Sequence, residues 1–253
     1  MDKQGVFMDK QVALVTGGTG GIGTAICQRL SADYHVIACY YKDGNHEEAL
    51  RWQALQRQAG FDIEIIYANV TQFADCETMV SLIAERFNRI DVLVNNAGTT
   101  QDGSFKKMTS EQWHNVLDAN LTSVFNVTRN VLPIMLDKGY GRVVSISSIN
   151  GLKGQFGQCN YAASKAALFG FTKSLAQEVA RKEITVNTIS PGYIETQMLA
   201  DVREDVLKGI VEAIPVGRLG LPRDIAEAVA FLTSPATSFI TGANLDVNGG
   251  QYM

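Results

Sequence analysis

Seven short apolar runs punctuate the chain, and what lies between them decides the fold. They are 12–15, Val36–Ala38, Ile63–Ile66, Val92–Val94, Val143–Ile146, Thr185–Ile189 and Leu245–Val247. Most are rich in β-branched residues, too short for a helix and bounded by turn formers, as strands buried on both faces are. Helix-length segments separate them. Strand, helix and strand in succession bring the chain back in the same direction. The expected fold is therefore α/β: one doubly wound, Rossmann-type domain with a seven-stranded, mainly parallel sheet and helices on both faces, connected by right-handed crossovers. No linker, repeat or low-complexity tract interrupts the alternation, so residues 11–253 are expected to form a single domain. Residues 191–222 depart from the pattern and read as a substrate-side loop and lid. Residues 1–10, with a second start at Met8, read as a disordered lead-in.

Composition narrows the function by exclusion. Lys and Arg number 22 against 26 Asp and Glu, a net charge of -4, which leaves no basic footprint for nucleic acid or an anionic membrane. Cys27, Cys39, Cys76 and Cys159 stand far apart, with no CxxC pair and no histidine at ligand spacing. They are read as reduced thiols, with no disulfide framework and no metal site. The first ten residues carry Asp2, Lys3, Asp9 and Lys10 without an apolar run, and no later stretch approaches a membrane span, so a cytoplasmic location is expected.

The first strand runs directly into Thr16-Gly17-Gly18-Thr19-Gly20-Gly21-Ile22-Gly23 and then into a helical pattern. Such a turn lets Gly17 reverse the chain, Gly21 admit a pyrophosphate and Gly23 pack helix on strand, while the helix N-terminus stabilises the anion. The competing reading is a merely flexible turn, which the strand before and helix after it make the weaker one. The spacing Gly17-x-x-x-Gly21-x-Gly23 resembles the TGxxxGxG of short-chain dehydrogenases/reductases. That resemblance implies a nicotinamide cofactor held by Gly17, Gly21, Ile22 and Gly23. It extends to Asn69-Val70, the family's adenine-contacting pair, and to Asn95-Asn96-Ala97-Gly98, its NNAG signature, although asparagine-stabilised turns would look the same. At the end of the second strand stands Cys39-Tyr40-Tyr41-Lys42, where an NAD enzyme would carry an acid. Lys42 would attract a 2′-phosphate, so NADPH is expected. An ordinary solvated lysine is the alternative.

Tyr161 and Lys165 stand at i,i+4 near the start of a long helical pattern, hence on one face. A phenol with an ordinary pKa near 10 is a poor proton shuttle, and a neighbouring ammonium, helped by the positive nicotinamide of the oxidised cofactor, is expected to bring it down. Alone, a YxxxK pair is weak. Ser148 at the end of the fifth strand, with Ser147 as a rival, and Asn120 inside an apolar helical pattern complete a set that resembles the family's tetrad in order and spacing. The resemblance implies hydride transfer to a ketone, with Tyr161 donating the proton, Ser148 orienting the carbonyl and Asn120 holding a water that relays protons to Lys165. It continues through Pro191-Gly192-Tyr193-Ile194-Glu195-Thr196. There it implies that Pro191 and Gly192 border the cofactor and that Ile194 and Thr196 meet the nicotinamide amide. A homotetramer is the family's usual assembly.

The segment Gly151 to Tyr161, with Gln155-Phe156-Gly157-Gln158, resembles the loop of NADPH-dependent acetoacetyl-CoA reductases, the polyhydroxybutyrate enzymes. That likeness implies a path for the acyl thioester lined by Asp102, Lys107, Gln155, Phe156, Gln158 and Tyr193, and an (R)-3-hydroxybutyryl-CoA product. Phe156 capping the core, and Gln155 and Gln158 merely facing water, are the bland alternatives. The competing substrate is the 3-oxoacyl thioester of acyl-carrier protein, used by the related reductases of fatty-acid synthesis. Those typically carry arginine where this chain has Gly139 and Gln177, so the CoA thioester is favoured. A non-catalytic nucleotide-sensing or scaffold protein is the alternative of another class. An intact tetrad counts against it.

Overall fold

The computed structural model describes residues 10–41, 46–196 and 203–253. Strands β1 (Val12–Thr16), β2 (His35–Tyr40), β3 (Ile63–Tyr67), β4 (Val92–Asn95), β5 (Gly141–Ile146), β6 (Ile184–Pro191) and β7 (Asn244–Val247) form one sheet. Its order is β3-β2-β1-β4-β5-β6-β7, and all six pairings are parallel. The expectation of a mainly parallel sheet is met in full, because every connection returns through a helix or a long loop. The helices are α1 (Gly21–Leu30), α2 (His46–Gln58), α3 (Phe73–Phe87), α4 (Ser110–Leu117), α5 (Ser123–Lys138), α6 (Ile149–Lys153), α7 (Cys159–Val179), α8 (Glu204–Glu212) and α9 (Pro222–Thr233).

Alternate strand residues feed two separate cores. Val12 and Leu14 of β1 join Leu93, Val143 and Val186 beneath α3, α5 and α7. Their neighbours Ala13 and Val15 join Val94 and Val144 beneath α1 and α9. A period of two along each strand, with both faces covered, leaves β1, β2, β4, β5 and β6 buried throughout. Each fully buried Leu or Ile contributes roughly 1.5–3 kcal/mol.

Strand β1 pairs with β2 on one side and β4 on the other, so the winding reverses between β1 and β4. A crevice opens there beyond the strands' C-terminal ends. Asn96 locks its floor: Nδ2 donates to the carbonyl oxygens of Thr16 and Gly17, each at 3.0 Å. Thr16 Oγ1 in turn accepts from the backbone N–H groups of Asn96 and Ala97. Between α4 and α5 the helix widens into a π turn, Asp118–Thr122, which carries Asn120. The segment expected to form a lid holds α8 and the start of α9, and its ends meet at a bridge between Ile194 and Gly220. The expected lead-in, residues 1–10, lies outside the described residues except for Lys10.

Candidate active site

The turn after β1 is built for close approach. Gly17 has φ +60°, in the left-handed region, and a Cβ on Gly23 would lie 2.1 Å from the Gly17 carbonyl oxygen. Gly23 therefore packs α1 onto the turn itself rather than onto the strand. Contact with β2 falls to Gly18, whose Cβ would meet that of Ala38 at 2.7 Å. Gly20 precedes α1 without a side-chain cap, leaving that helix's first N–H groups free to meet an anion. Gly21 faces the methyl of Thr196.

Further along the cofactor edge the sequence reading fares unevenly. Cys39 is buried, its thiol directed to the Ala68 carbonyl, so Tyr40 and Tyr41 rather than Cys39 mark the exit of β2. Lys42 lies outside the described residues. Asn69 Oδ1 accepts from both the N–H and the hydroxyl of Thr71, which makes it a turn asparagine. The Val70 carbonyl accepts from Asn126 Nδ2.

Over the ends of β4, β5 and β6 lies a cavity of about 230 Å³. Ser148, Tyr161 and Lys165 line it, together with Gln158 and Tyr193 of the expected acyl path. So do Ile22, Asn96, Gly98, Pro191, Gly192, Ile194 and Thr196 from the cofactor set. Gly17, Gly21, Gly23 and Ala97 border that set from the neighbouring turns. Asn69 and Val70 stand apart at the end of β3. Asp102, on the exposed rim, reaches the wall through a 2.7 Å hydrogen bond from Gln158 Nε2. Lys107, Gln155 and Phe156 are exposed and do not line the cavity, and Phe156, 90% exposed, caps no core. Sequence reasoning missed Thr99, Thr100 and Asn150, which also line it. The two threonines directly follow Gly98 and were open to extension of that motif.

Ser148 follows β5 as the N-cap of α6, its Oγ accepting from Asn150 N at 3.1 Å, and lines the cavity together with the Tyr161 phenol. Its rival Ser147 also lines the cavity, but its hydroxyl is engaged, donating to the Lys165 carbonyl at 2.9 Å. Lys165 Nζ donates to the Ile146 carbonyl at 2.8 Å and stands 5.7 Å from the centre of the Tyr161 ring. Burial lowers the Lys165 ammonium to about 8. The Tyr161 phenol moves upward instead: burial raises it most, the nearby Ser148 hydroxyl opposes that, and the Asp102 charge raises it further. Lys165 is not among the causes of this shift. Both groups are taken out of water, and each is driven toward its neutral form. Tyr161 thus holds its proton, the form an acid needs.

Asn120 is fully buried. Its Oδ1 accepts from Thr99 N, and its Nδ2 donates to the Thr99 carbonyl and to Ser164 Oγ, which passes a bond on to the Tyr161 carbonyl. Both Nδ2 hydrogens are spent, so this amide ties the β4 loop to α7. Gly98 has no Cβ to fill the gap beside Asn120 Oδ1 and Lys165 Nζ, at 2.9 Å and 3.4 Å from where one would stand.

A serine and a phenol on one cavity wall, a lysine on the same helix face and a glycine turn at the switch point form one constellation. The family model for short chain dehydrogenases matches residues 11–207. The chain belongs to the short-chain dehydrogenase family. This short-chain dehydrogenase is 50% identical over 247 residues to an acetoacetyl-CoA reductase of Cupriavidus necator, covering 97% of this chain and 100% of that protein. An acetoacetyl-CoA reductase of Allochromatium vinosum is 49% identical over 243 residues, 96% of this chain and 99% of that one. The 3-oxoacyl-[acyl-carrier-protein] reductase FabG of Escherichia coli is 42% identical over 243 residues, covering 96% and 98%.

Proposed function

We propose that this short-chain dehydrogenase reduces acetoacetyl-CoA with NADPH to (R)-3-hydroxybutyryl-CoA, a precursor of polyhydroxybutyrate. The observation that carries the reading is that Ser148, Tyr161 and Lys165 meet at the wall of one cavity, in a chain about half identical to acetoacetyl-CoA reductases over nearly its whole length.

The residues fit a dinucleotide. Gly17, Gly21, Ile22 and Gly23 would hold the phosphates against the start of α1, and Lys42, Asn69 and Val70 would meet the adenosine end. Asn96, Ala97 and Gly98 would border the ribose with Lys165, and Pro191, Gly192, Ile194 and Thr196 the nicotinamide. When bound, that cofactor supplies the hydride. Ser148 donates to the ketone oxygen and holds it beside Tyr161, whose protonated phenol gives up its proton as charge develops. Lys165 then stabilises the phenolate. The space over Gly98, between Asn120 Oδ1 and Lys165 Nζ, is the place for a water to return the proton. Asp102, Lys107, Gln155, Phe156, Gln158 and Tyr193 mark the path of the thioester, with residues 191–222 as its lid. No helix among the described residues is long and apolar enough to cross a membrane. The enzyme is proposed to work in the cytoplasm as a homotetramer.

Reduction of the carrier-protein thioester is the second reading, favoured by the likeness to FabG. Against it stand Gly139 and Gln177, where arginines would serve an acidic partner. Gly139 has a backbone reason of its own, ending α5 with φ +62°, so Gln177, exposed on α7, carries more of that argument. Steady-state oxidation of NADPH decides, with acetoacetyl-CoA and acetoacetyl-acyl-carrier protein compared by kcat/KM and NADH as the cofactor control. A higher kcat/KM for the CoA thioester is expected. Preference for the carrier protein moves the assignment to fatty-acid synthesis, and no turnover with any ketone leaves a nucleotide-binding protein.

A further inference from the structure

A chain of side-chain hydrogen bonds joins the start of α6 to the start of α7. Asp102 Oδ2 accepts from Gln158 Nε2 at 2.7 Å, and Gln158 Oε1 accepts from Asn150 Nδ2 at 2.9 Å. The backbone N–H of Asn150 then donates to Ser148 Oγ at 3.1 Å. Its polarity is imposed from one end. A carboxylate only accepts, so Gln158 must turn its NH2 toward Asp102. The Gln158 oxygen is left for Asn150, which must answer with its own NH2. Asn150 Oδ1 is buried and has no hydrogen-bond partner among the described residues, so no second group dictates which way this amide faces.

The far end of the chain is the reacting hydroxyl. Ser148 accepts from Asn150 and keeps its one proton to offer to the Tyr161 phenol or a carbonyl oxygen in the cavity that both residues line. Gln158 is the N-cap of α7, which carries Tyr161, and Asn150 stands in the first turn of α6, which Ser148 caps. We propose that Asn150 is a positioning residue for the Ser148 hydroxyl: the Asp102–Gln158 pair holds its side chain and with it the first turn of α6, whose backbone N–H bonds Ser148. The proposal rests on the carbonyl-reductase reading. It gives Asp102 and Gln158 a task at the reacting carbonyl besides any contact with the thioester's pantetheine arm. The backbone bond from Gly103 N to the Gly157 carbonyl, 2.8 Å, fastens the same two loops independently, so breaking the side-chain relay leaves them joined.

The test uses reversal and repair of polarity, with two ketones. Gln158→Glu sets a carboxylate against Asp102, and adding Asp102→Asn restores a donor facing an acceptor while Asn150 still donates to residue 158. Activity is measured on acetoacetyl-CoA and on ethyl acetoacetate, which has no pantetheine. The single variant is expected to lose kcat on the order of ten- to a hundredfold on both ketones, with KM for NADPH unchanged, and the double variant to return to near the wild-type kcat on both. Asn150→Ala, with its thermal midpoint recorded, is expected to show the same loss of kcat at a wild-type KM for NADPH. A loss confined to the CoA thioester, or no recovery in the double variant, overturns the proposal. A wild-type enzyme that reduces ethyl acetoacetate but not acetoacetyl-CoA refutes the substrate reading instead, and the relay is then judged on the small ketone.

Discussion

Lys165 Nζ and the Ile146 carbonyl oxygen are 2.8 Å apart, a bond that joins α7 to the end of β5 and fixes the ammonium under the cavity. Its position is costly. Burial brings the folded-state pKa to about 8 from 10.5. Below pH 8 both folded and unfolded states carry the proton, and the whole destabilisation, about 3 kcal/mol, is present. Between pH 8 and 10.5 the unfolded chain binds the proton that the folded one has lost, so stability rises with pH across that window. Lys165→Met is expected to abolish turnover yet stabilise the fold at pH 7 by about 1–2 kcal/mol, the lost hydrogen bond offsetting part of the gain. Thermal midpoints at pH 7 and pH 10 check this, and the advantage should shrink at the higher pH. Equal destabilisation at both would contradict it.

Neighbouring serines separate a reacting hydroxyl from a structural one. Ser148 faces Tyr161, whereas Ser147 donates to the Lys165 carbonyl. Ser148→Ala should lower kcat by about 10²–10³ with little change in stability, in line with removal of one donor to a developing oxyanion. Ser147→Ala should instead cost about 1 kcal/mol of stability and leave kcat within a few-fold. Steady-state kinetics and urea denaturation of the two variants distinguish these outcomes.

Why the fold was legible and parts of the site were not comes down to what periodicity and spacing encode. Strand runs such as 12–15 and Val92–Val94 declare themselves because burial on both faces demands continuous apolarity. Gly17 and Gly23 declare themselves because no other residue fits. Helical spacing put Tyr161 and Lys165 on one face, and Ser148 and Asn120 gave that weak pair its weight. The direction of the Tyr161 shift was hidden, since it depends on how much water each group loses, and i,i+4 spacing does not report burial. Asn120 was found, but its amide bonds to Thr99 and Ser164 join segments that only the fold brings together. Asn150 was passed over for the same reason: its partner Gln158 stands on the next helix.

At the cofactor turn the glycine requirement is steric. A methyl on Gly23 would sit 2.1 Å from the Gly17 carbonyl oxygen, which is backbone and has no rotamer to yield. Gly23→Ala is expected to push α1 off the turn, costing about 1–3 kcal/mol of stability and weakening NADPH binding more than tenfold. Cofactor fluorescence titration measures the second effect. Unaltered binding would mean that the turn does not carry the phosphates.

Thiol chemistry offers a last check on the architecture around the relay. Cys27, Cys39 and Cys76 are buried, and burial pushes the thiols of Cys39 and Cys76 up to about 12 and that of Cys27 upward as well, so none forms the nucleophilic thiolate at neutral pH. Cys159 is exposed and follows Gln158 directly. Titration of the native protein with a disulfide reagent is expected to count one reactive thiol per chain, rising to four in denaturant. Cys159→Ser should abolish the native reaction. A bulky adduct on Cys159 should lower kcat by disturbing the N-terminus of α7, where Gln158 meets both Asp102 and Asn150, and the same reagent should leave the Cys159→Ser enzyme at full activity. Loss of activity in that variant would instead locate the sensitive thiol among the three buried ones.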